Sequence, residues 1–241
     1  NTPRSTLPVT TVPRPVIVNT SSTGIRNGFS VSRSGVGIYA STAAISFRID
    51  SSAASSPSIA FRAEPATIGH FHNFGFNTSP FIVSLTGKRV IGRAVTVKIP
   101  SLDSTVLHKV TEMVGPGDVL MIDRAGDQQY AALGGLVSYA LKVREVEAVI
   151  IDGAATDIDE IRAMGLLVFY RRLSAITTRL CGTDGEINTT ISCYGVVVHP
   201  GDIVIADENG FVVLDPAETK AICREAVEKH QNGEPGIREK L

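Results

Sequence analysis

Val114-Gly115-Pro116-Gly117-Asp118-Val119-Leu120-Met121-Ile122-Asp123 is a turn that feeds a strand. Proline presets φ and glycine accepts positive φ, so Pro116-Gly117 closes a tight turn. The four apolar residues behind it, with no polar alternation, predict a strand covered on both faces. The same device returns 84 residues later as Val198-His199-Pro200-Gly201-Asp202-Ile203-Val204-Ile205-Ala206-Asp207, with five of ten positions identical. Both Pro-Gly pairs read as structural turns and not as binding loops.

Outward from this stretch the punctuation stays regular. Phe81 to Leu85 and Val90 to Ile99 are rich in the β-branched and aromatic residues of strands. Asp103 or Ser104 can cap a helix that carries Leu107, Val110 and Val114 on one face. Leu133, Leu136, Val137, Ala140 and Leu141 follow i, i+3, i+4, i+7 and i+8, which predicts a helix with one apolar stripe. Ala148 to Ile151 is a short apolar run suited to a buried strand. Asp157 to Met164 predicts a short helix stopped by Gly165, and Leu166 to Phe169 a further strand. Ile187 to Val198 and Phe211 to Leu214 complete the strands. A last helix starts with Asp215 as cap, Pro216 in its first position and Glu218 three residues after the cap, and ends near Asn232-Gly233. Strands alternating with helices predict a layered α/β (α+β) domain.

Composition sets limits. The 241 residues carry 23 Lys plus Arg against 24 Asp plus Glu, a net charge of −1. That balance argues against nucleic acid as the main partner. No apolar run is long enough for a membrane helix, so no membrane is expected. Cys181, Cys193 and Cys223 are odd in number and apart from any histidine cluster, which fits reduced intracellular thiols and a cytoplasmic location. The average conceals a split. Residues 1–60 hold 20 Ser or Thr, five arginines, no lysine and the single acid Asp50. We divide the chain into a basic arm over 1–59 and a domain over 60–241, joined by the Ser51–Pro57 linker. The arm is either docked on its domain or neighbour, with Val16-Ile17-Val18 and Val36–Tyr39 as edge strands, or an organelle-targeting segment.

No Walker loop, CxxC, HExxH or GxSxG pattern is present. His70 and His72 read as core or surface histidines before ligands. The chemistry is expected between Ala131 and Arg171. Gly134-Gly135 opens the striped helix, whose first amides can hold a carboxylate. One helix and one strand later comes Asp152-Gly153-Ala154-Ala155-Thr156-Asp157, placed where strand ends meet helix starts.

These segments give the chain its resemblance to the RraA-like proteins, which include metal-dependent 4-hydroxy-4-methyl-2-oxoglutarate aldolases, oxaloacetate decarboxylases and protein regulators of ribonuclease E. The resemblance spans about Pro65 to Pro216. It rests on Gly92-Arg93-Ala94-Val95-Thr96, Pro116-Gly117-Asp118-Val119, Gly134-Gly135-Leu136-Val137, Asp152-Gly153 with Asp157, Val168-Phe169, Gly195-Val196-Val197-Val198, Pro200-Gly201-Asp202 and Ala206-Asp207. It implies a β/β/α layered, swivelling-type domain assembled as a homotrimer or a hexamer. It also implies a divalent-metal-dependent lyase that cleaves a small 2-oxo acid, by retro-aldol reaction or decarboxylation, with Mg²⁺ or Mn²⁺. Carried over, Gly134, Gly135, Leu136, Val137 and Thr156 are the substrate-binding positions and Asp157 the metal ligand. Thr156 stands at the position of the family's enolate-stabilising arginine, and Gly135 where active members carry Glu or Asp. His70 replaces an early aspartate. The residues alone leave Asp157 open as a helix cap, since Asp157-Ile158-Asp159-Glu160 has the capping-box pattern. Arg171 and Arg172 either reach the pocket and restore charge or remain surface residues. The alternative to a lyase is an inactive scaffold or regulator that binds another protein.

Overall fold

The structure is a computed structural model, and it describes residues 16–17 and 62–232. Most of the 1–59 arm, including Val36–Tyr39 and the Ser51–Pro57 linker, lies outside the described residues. Thirteen short strands are described. Four parallel ones form the centre, in the order β3 (Val90–Lys98), β4 (Asp118–Asp123), β5 (Ala148–Asp152) and β7 (Leu167–Tyr170). Side chains alternate across a strand with period two, and both periods are apolar here. Val97, Leu120, Ile122, Val149, Ile151 and Val168 enter one core. Ala94, Val119, Met121, Ile150, Leu167 and Phe169 enter the other. The uninterrupted apolar runs are the signature of strands covered on both faces.

The first core is roofed by three short helices: α2 (Thr105–Val110), α3 (Gly135–Val143) and α4 (Ile158–Ala163). The second is covered by the hairpin of β10 (Ile191–Cys193) and β11 (Val196–Val198). A third core lies beneath α1 (Pro65–Ile68) and α5 (Pro216–Asn232), packed on β12 (Ile203–Asp207) and β13 (Gly210–Leu214). Together these layers make the mixed α/β, layered fold expected from the sequence.

The sheet forks along β3. One edge pairs with β4, while the other takes β12 over Val90–Arg93 and β9 (Glu186–Ile187) over Val97–Lys98. Beyond β9 lies β1 (Val16–Ile17), antiparallel to it, so this part of the arm does form an edge strand. At the far edge β2 (Ile82–Val83) pairs with β7, shorter than the strand expected over Phe81 to Leu85. Two further two-residue strands, β6 (Ala154–Ala155) and β8 (Arg172–Leu173), pair beside the central sheet.

Several expectations need correction. The strand expected over Ile187 to Val198 is three pieces: Asn188 (φ 56°) follows the end of β9, and Tyr194 (φ 53°) and Gly195 (φ 81°) turn the chain between β10 and β11. Two successive positive φ angles match the twist of a two-residue hairpin. Tyr194 tolerates this because its amide donates to Asp152 Oδ2 at 2.6 Å and its hydroxyl to the Ile151 carbonyl at 2.9 Å. The helix starts only at Gly135, so Leu133 is buried ahead of it; within α3 the buried apolar side chains are Val137 and Leu141, whereas Leu136 is 77 % exposed. At 100° per residue, Leu136 sits at the margin of a stripe centred on Val137. The helix after Asp103 ends at Val110, leaving Val114 buried in the turn beyond. Asp215 caps α5 as expected, its Oδ1 accepting from the Ala217 amide at 2.7 Å. No helix among the described residues is long and apolar enough to cross a membrane. Cys181 is exposed, Cys193 and Cys223 are buried, and all three are free thiols.

Candidate functional site

The start of α3 is pressed onto the β6–α4 connection. A Cβ on Gly134 would lie 2.9 Å from Asp157 Oδ2, and one on Gly135 only 2.1 Å from Glu160 Oε2. Both glycines thus lie close against side chains of the connection, and the exposed carboxylate of Glu160 occupies the space where a side chain at position 135 would begin. The Leu133 carbonyl accepts from the Thr156 amide at 2.9 Å and fixes the two segments together.

The capping reading of Asp157 is overturned. Its backbone is left-handed (φ 54°, ψ 38°), and its side chain makes no cap hydrogen bond to α4. Oδ2 instead accepts from the Gly135 amide at 2.9 Å, and Thr156 Oγ1 donates to Oδ1 at 3.3 Å. Asp157 therefore caps a different helix, α3, where its charge meets the positive end of the helix dipole. The anion expected on the α3 amides is the chain's own carboxylate. Aspartate is among the residues that enter the left-handed region most readily, and the Ile161 amide holds the Asp157 carbonyl at 3.0 Å.

A cleft of about 210 Å³ opens over this junction. All the residues anticipated from the sequence line it: Gly134, Gly135, Leu136, Val137, Thr156 and Asp157. Nothing in the sequence marks the opposite wall as part of a site. It consists of Ser104 and His108 from α2 and its start, and the extended segment Thr177-Thr178-Arg179-Leu180. That segment is tied down from both sides: Ala131 donates to the Ile176 carbonyl at 2.8 Å, Arg179 to Leu102 at 2.8 Å, and Ser104 to Arg179 at 2.9 Å. Its only sequence signal is a Ser/Thr/Arg-rich stretch without periodicity.

The buried carboxylate of Asp103 anchors the end of this wall. It accepts from the amides of Thr105 (2.9 Å), Cys181 (3.0 Å), Asp184 (3.3 Å) and Thr183, and from the hydroxyls of Thr105 and Thr183. Burial alone would raise its pKa, but the hydrogen bonds from Thr105, Cys181 and Thr183 prevail and hold it well below the usual carboxylate range.

Neither Arg171 nor Arg172 restores charge to the cleft. Arg171 is paired with Asp152 and lies 4.5 Å from the Tyr194 ring centroid, with its guanidinium pKa raised chiefly by the Asp152 hydrogen bond. Arg172 is exposed and donates to the Leu173 carbonyl. His70 is exposed and His72 half-buried beside Phe74 and Phe76, both away from the cleft lining. Among the described residues no group of three or more His, Cys, Asp or Glu could hold a metal ion.

A layered domain with such a cleft at its strand ends defines a class, and comparison with known proteins gives the family. The family model described as RraA-like: Aldolase/RraA matches residues 57–213, and the chain belongs to this family. It is 32% identical over 130 residues to the 4-hydroxy-4-methyl-2-oxoglutarate aldolase of Thermus thermophilus, covering 52% of this chain and 76% of that protein. The structure of the RNA-processing inhibitor RraA from the same species is 28% identical with a TM-score of 0.53, covering 56% of this chain and 81% of that one. Streptomyces coelicolor RraAS2, an unusual member of the RNase ES inhibitor family, shares the fold at 24% identity and a TM-score of 0.63, over 71% of this chain and 89% of that one. Both aldolases and RNA-processing inhibitors are thus named among the proteins it resembles.

Proposed function

We propose that the chain is a divalent-metal-dependent lyase acting on a small 2-oxo acid, by retro-aldol cleavage or by decarboxylation of an oxaloacetate-type substrate. The observation that carries this reading is Asp157, an exposed carboxylate held against the Gly135 amide on the floor of a cleft. A carboxylate can accept about four hydrogen bonds or ligands, and the two bonds described here leave Asp157 with capacity. One or two carboxylates with several waters are what Mg²⁺ usually takes from a protein. Asp157, with the Glu160 carboxylate nearby, fits such a hydrated ion and not a closed cage. A metal held by Asp157 would supply the Lewis acid that polarises the 2-oxo group.

The chain's own residues do the rest. Thr156 lines the cleft with its hydroxyl, which donates to Asp157 Oδ1 at 3.3 Å, and Gly134 to Val137 shape its floor. In decarboxylation the C–C bonding pair stays on the 2-oxo fragment as an enolate while CO₂ leaves, and water returns a proton to carbon. Thr156 brings no charge to that enolate. A charged donor lost from such a position typically costs about 10²-fold in rate, so slow turnover is expected. The test is oxaloacetate turnover by the purified full chain with Mn²⁺. Turnover above the metal-alone rate, lost in Asp157→Asn and raised about 10²-fold in Thr156→Arg, supports the reading; a rate equal to metal alone overturns it.

A second reading, a scaffold or regulator that binds another protein, is favoured by the outward face of α3. Leu136, Tyr139 and Val143 are 77 %, 59 % and 62 % exposed, an apolar stripe at i, i+3 and i+7. The same stripe, next to the cleft through Leu136, supports a homo-oligomer, trimer or hexamer, in which a neighbouring copy covers it.

A further inference from the structure

We propose that Arg179, assisted by His108, is the specificity-determining cation of this cleft and selects ligands that carry two carboxylates. The inference rests on the lyase reading for its substrate but on the cleft itself for its geometry. Thr156 leaves the floor without a positive side chain, and Arg171 and Arg172 are engaged elsewhere. The facing wall supplies what the floor lacks. Arg179 lines the cleft with its backbone held on both sides, by the Leu102 carbonyl and the Ser104 amide. Among the described residues its guanidinium has no hydrogen bond and no carboxylate within 4 Å, Asp157 included. His108 lines the same wall from the last turn of α2, and its ring too has no described partner.

The two sides of the cleft therefore carry opposite charges that do not neutralise each other. A carboxylate on the Asp157 side and a guanidinium on the Arg179 side suit a ligand with two anionic ends. One end would share a cation with Asp157, and the other would meet the arginine directly. Guanidinium is permanently charged and presents a planar fork that matches a carboxylate with two parallel hydrogen bonds. Lysine offers the same charge as a point and loses the fork. The pinned backbone matters because it places the fork without the entropic cost of ordering an entire loop. In this arrangement the positive charge missing from position 156 reappears across the cleft, suited to the remote carboxylate of a dicarboxylic 2-oxo acid.

The test measures binding without turnover. The full chain, loaded with Mn²⁺, is titrated calorimetrically with malonate and with acetate in the wild type, Arg179→Gln, Arg179→Lys and Arg172→Gln. The wild type is expected to bind malonate more tightly than acetate. Arg179→Gln should lose about ten- to hundredfold in malonate affinity, the range for hydrogen bonds to a charged group. Arg179→Lys should recover part of the loss, and Arg172→Gln, which removes an equal charge outside the cleft, should lose nothing. Equal malonate affinities in Arg179→Gln and Arg172→Gln overturn the proposal, as does a wild type without preference for malonate. Malonate selectivity without oxaloacetate turnover would sink the lyase reading and leave Arg179 in its role. Turnover with a malonate affinity indifferent to Arg179 would do the reverse.

Discussion

Replacing Asp103 by asparagine should loosen one wall of the cleft and lower the stability of the domain. Oδ1 accepts the amides of Thr105 and Cys181, and Oδ2 those of Thr183 and Asp184. An asparagine amide has one oxygen and one donor group, so either orientation leaves two backbone donors facing a donor. Each buried donor left unsatisfied costs about 1–3 kcal/mol. Two give about 2–6 kcal/mol, and relaxation of the 180–184 loop brings the expectation to about 3 kcal/mol. For a domain of this size that is a fall in Tm of about 6–12 °C. The pH dependence has a defined sign. An unfolded aspartate titrates near a pKa of about 3.9, and the folded carboxyl is held below that. The stabilisation is therefore complete above about pH 4 and is lost as pH falls toward the folded value. The Asp103→Asn variant has no such dependence at this position, so the gap in Tm should narrow between neutral pH and about pH 3. Thermal unfolding of both proteins by circular dichroism at the two pH values decides the matter. A gap under about 2 °C at neutral pH, or the same gap at both, would refute the reasoning.

Two further outcomes are expected. Only exposed Cys181 should react with a thiol reagent in the native state at about pH 8, since Cys193 is fully buried and burial pushes the Cys223 thiol up to about 11; all three should react in denaturant. If a second copy covers α3, Leu136→Glu with Tyr139→Ser should lower the sedimenting mass with little change in monomer unfolding, because both side chains are exposed on the isolated chain; an unchanged mass would remove that support for an oligomer.

The strands are legible where local pattern suffices. Val119–Ile122 and Ala148–Ile151 are runs so apolar that only a doubly covered strand hides them, and both lie in the central sheet. The Pro-Gly turns and the Asp215 cap act within a few residues, so they too can be read directly. Leu136 falls outside the buried stripe because periodicity gives a stripe's width but not its centre. The break at Tyr194-Gly195 is invisible in the sequence because what stabilises it, the Asp152 carboxylate and the Ile151 carbonyl, comes from 42 and 43 residues away.

The site divides the same way. Its floor is visible because Gly134-Gly135 and Thr156-Asp157 are a helix start and a strand end, features with local signatures. That Asp157 caps α3 and not α4 depends on a contact across 22 residues, and its own sequence pattern favours the wrong helix. The wall of His108 and Arg179 has no local signature that marks it as part of a site. Ser104 meets Arg179 across 75 residues, and Ala131 meets Thr178 across 47. The sequence by itself determined the central strands, the Pro-Gly turns and the family, since burial pattern and backbone preference act on neighbours in the chain. Which charges face one another across the cleft was decided only by tertiary structure, because electrostatic partners are set by distance in space and not by order along the chain.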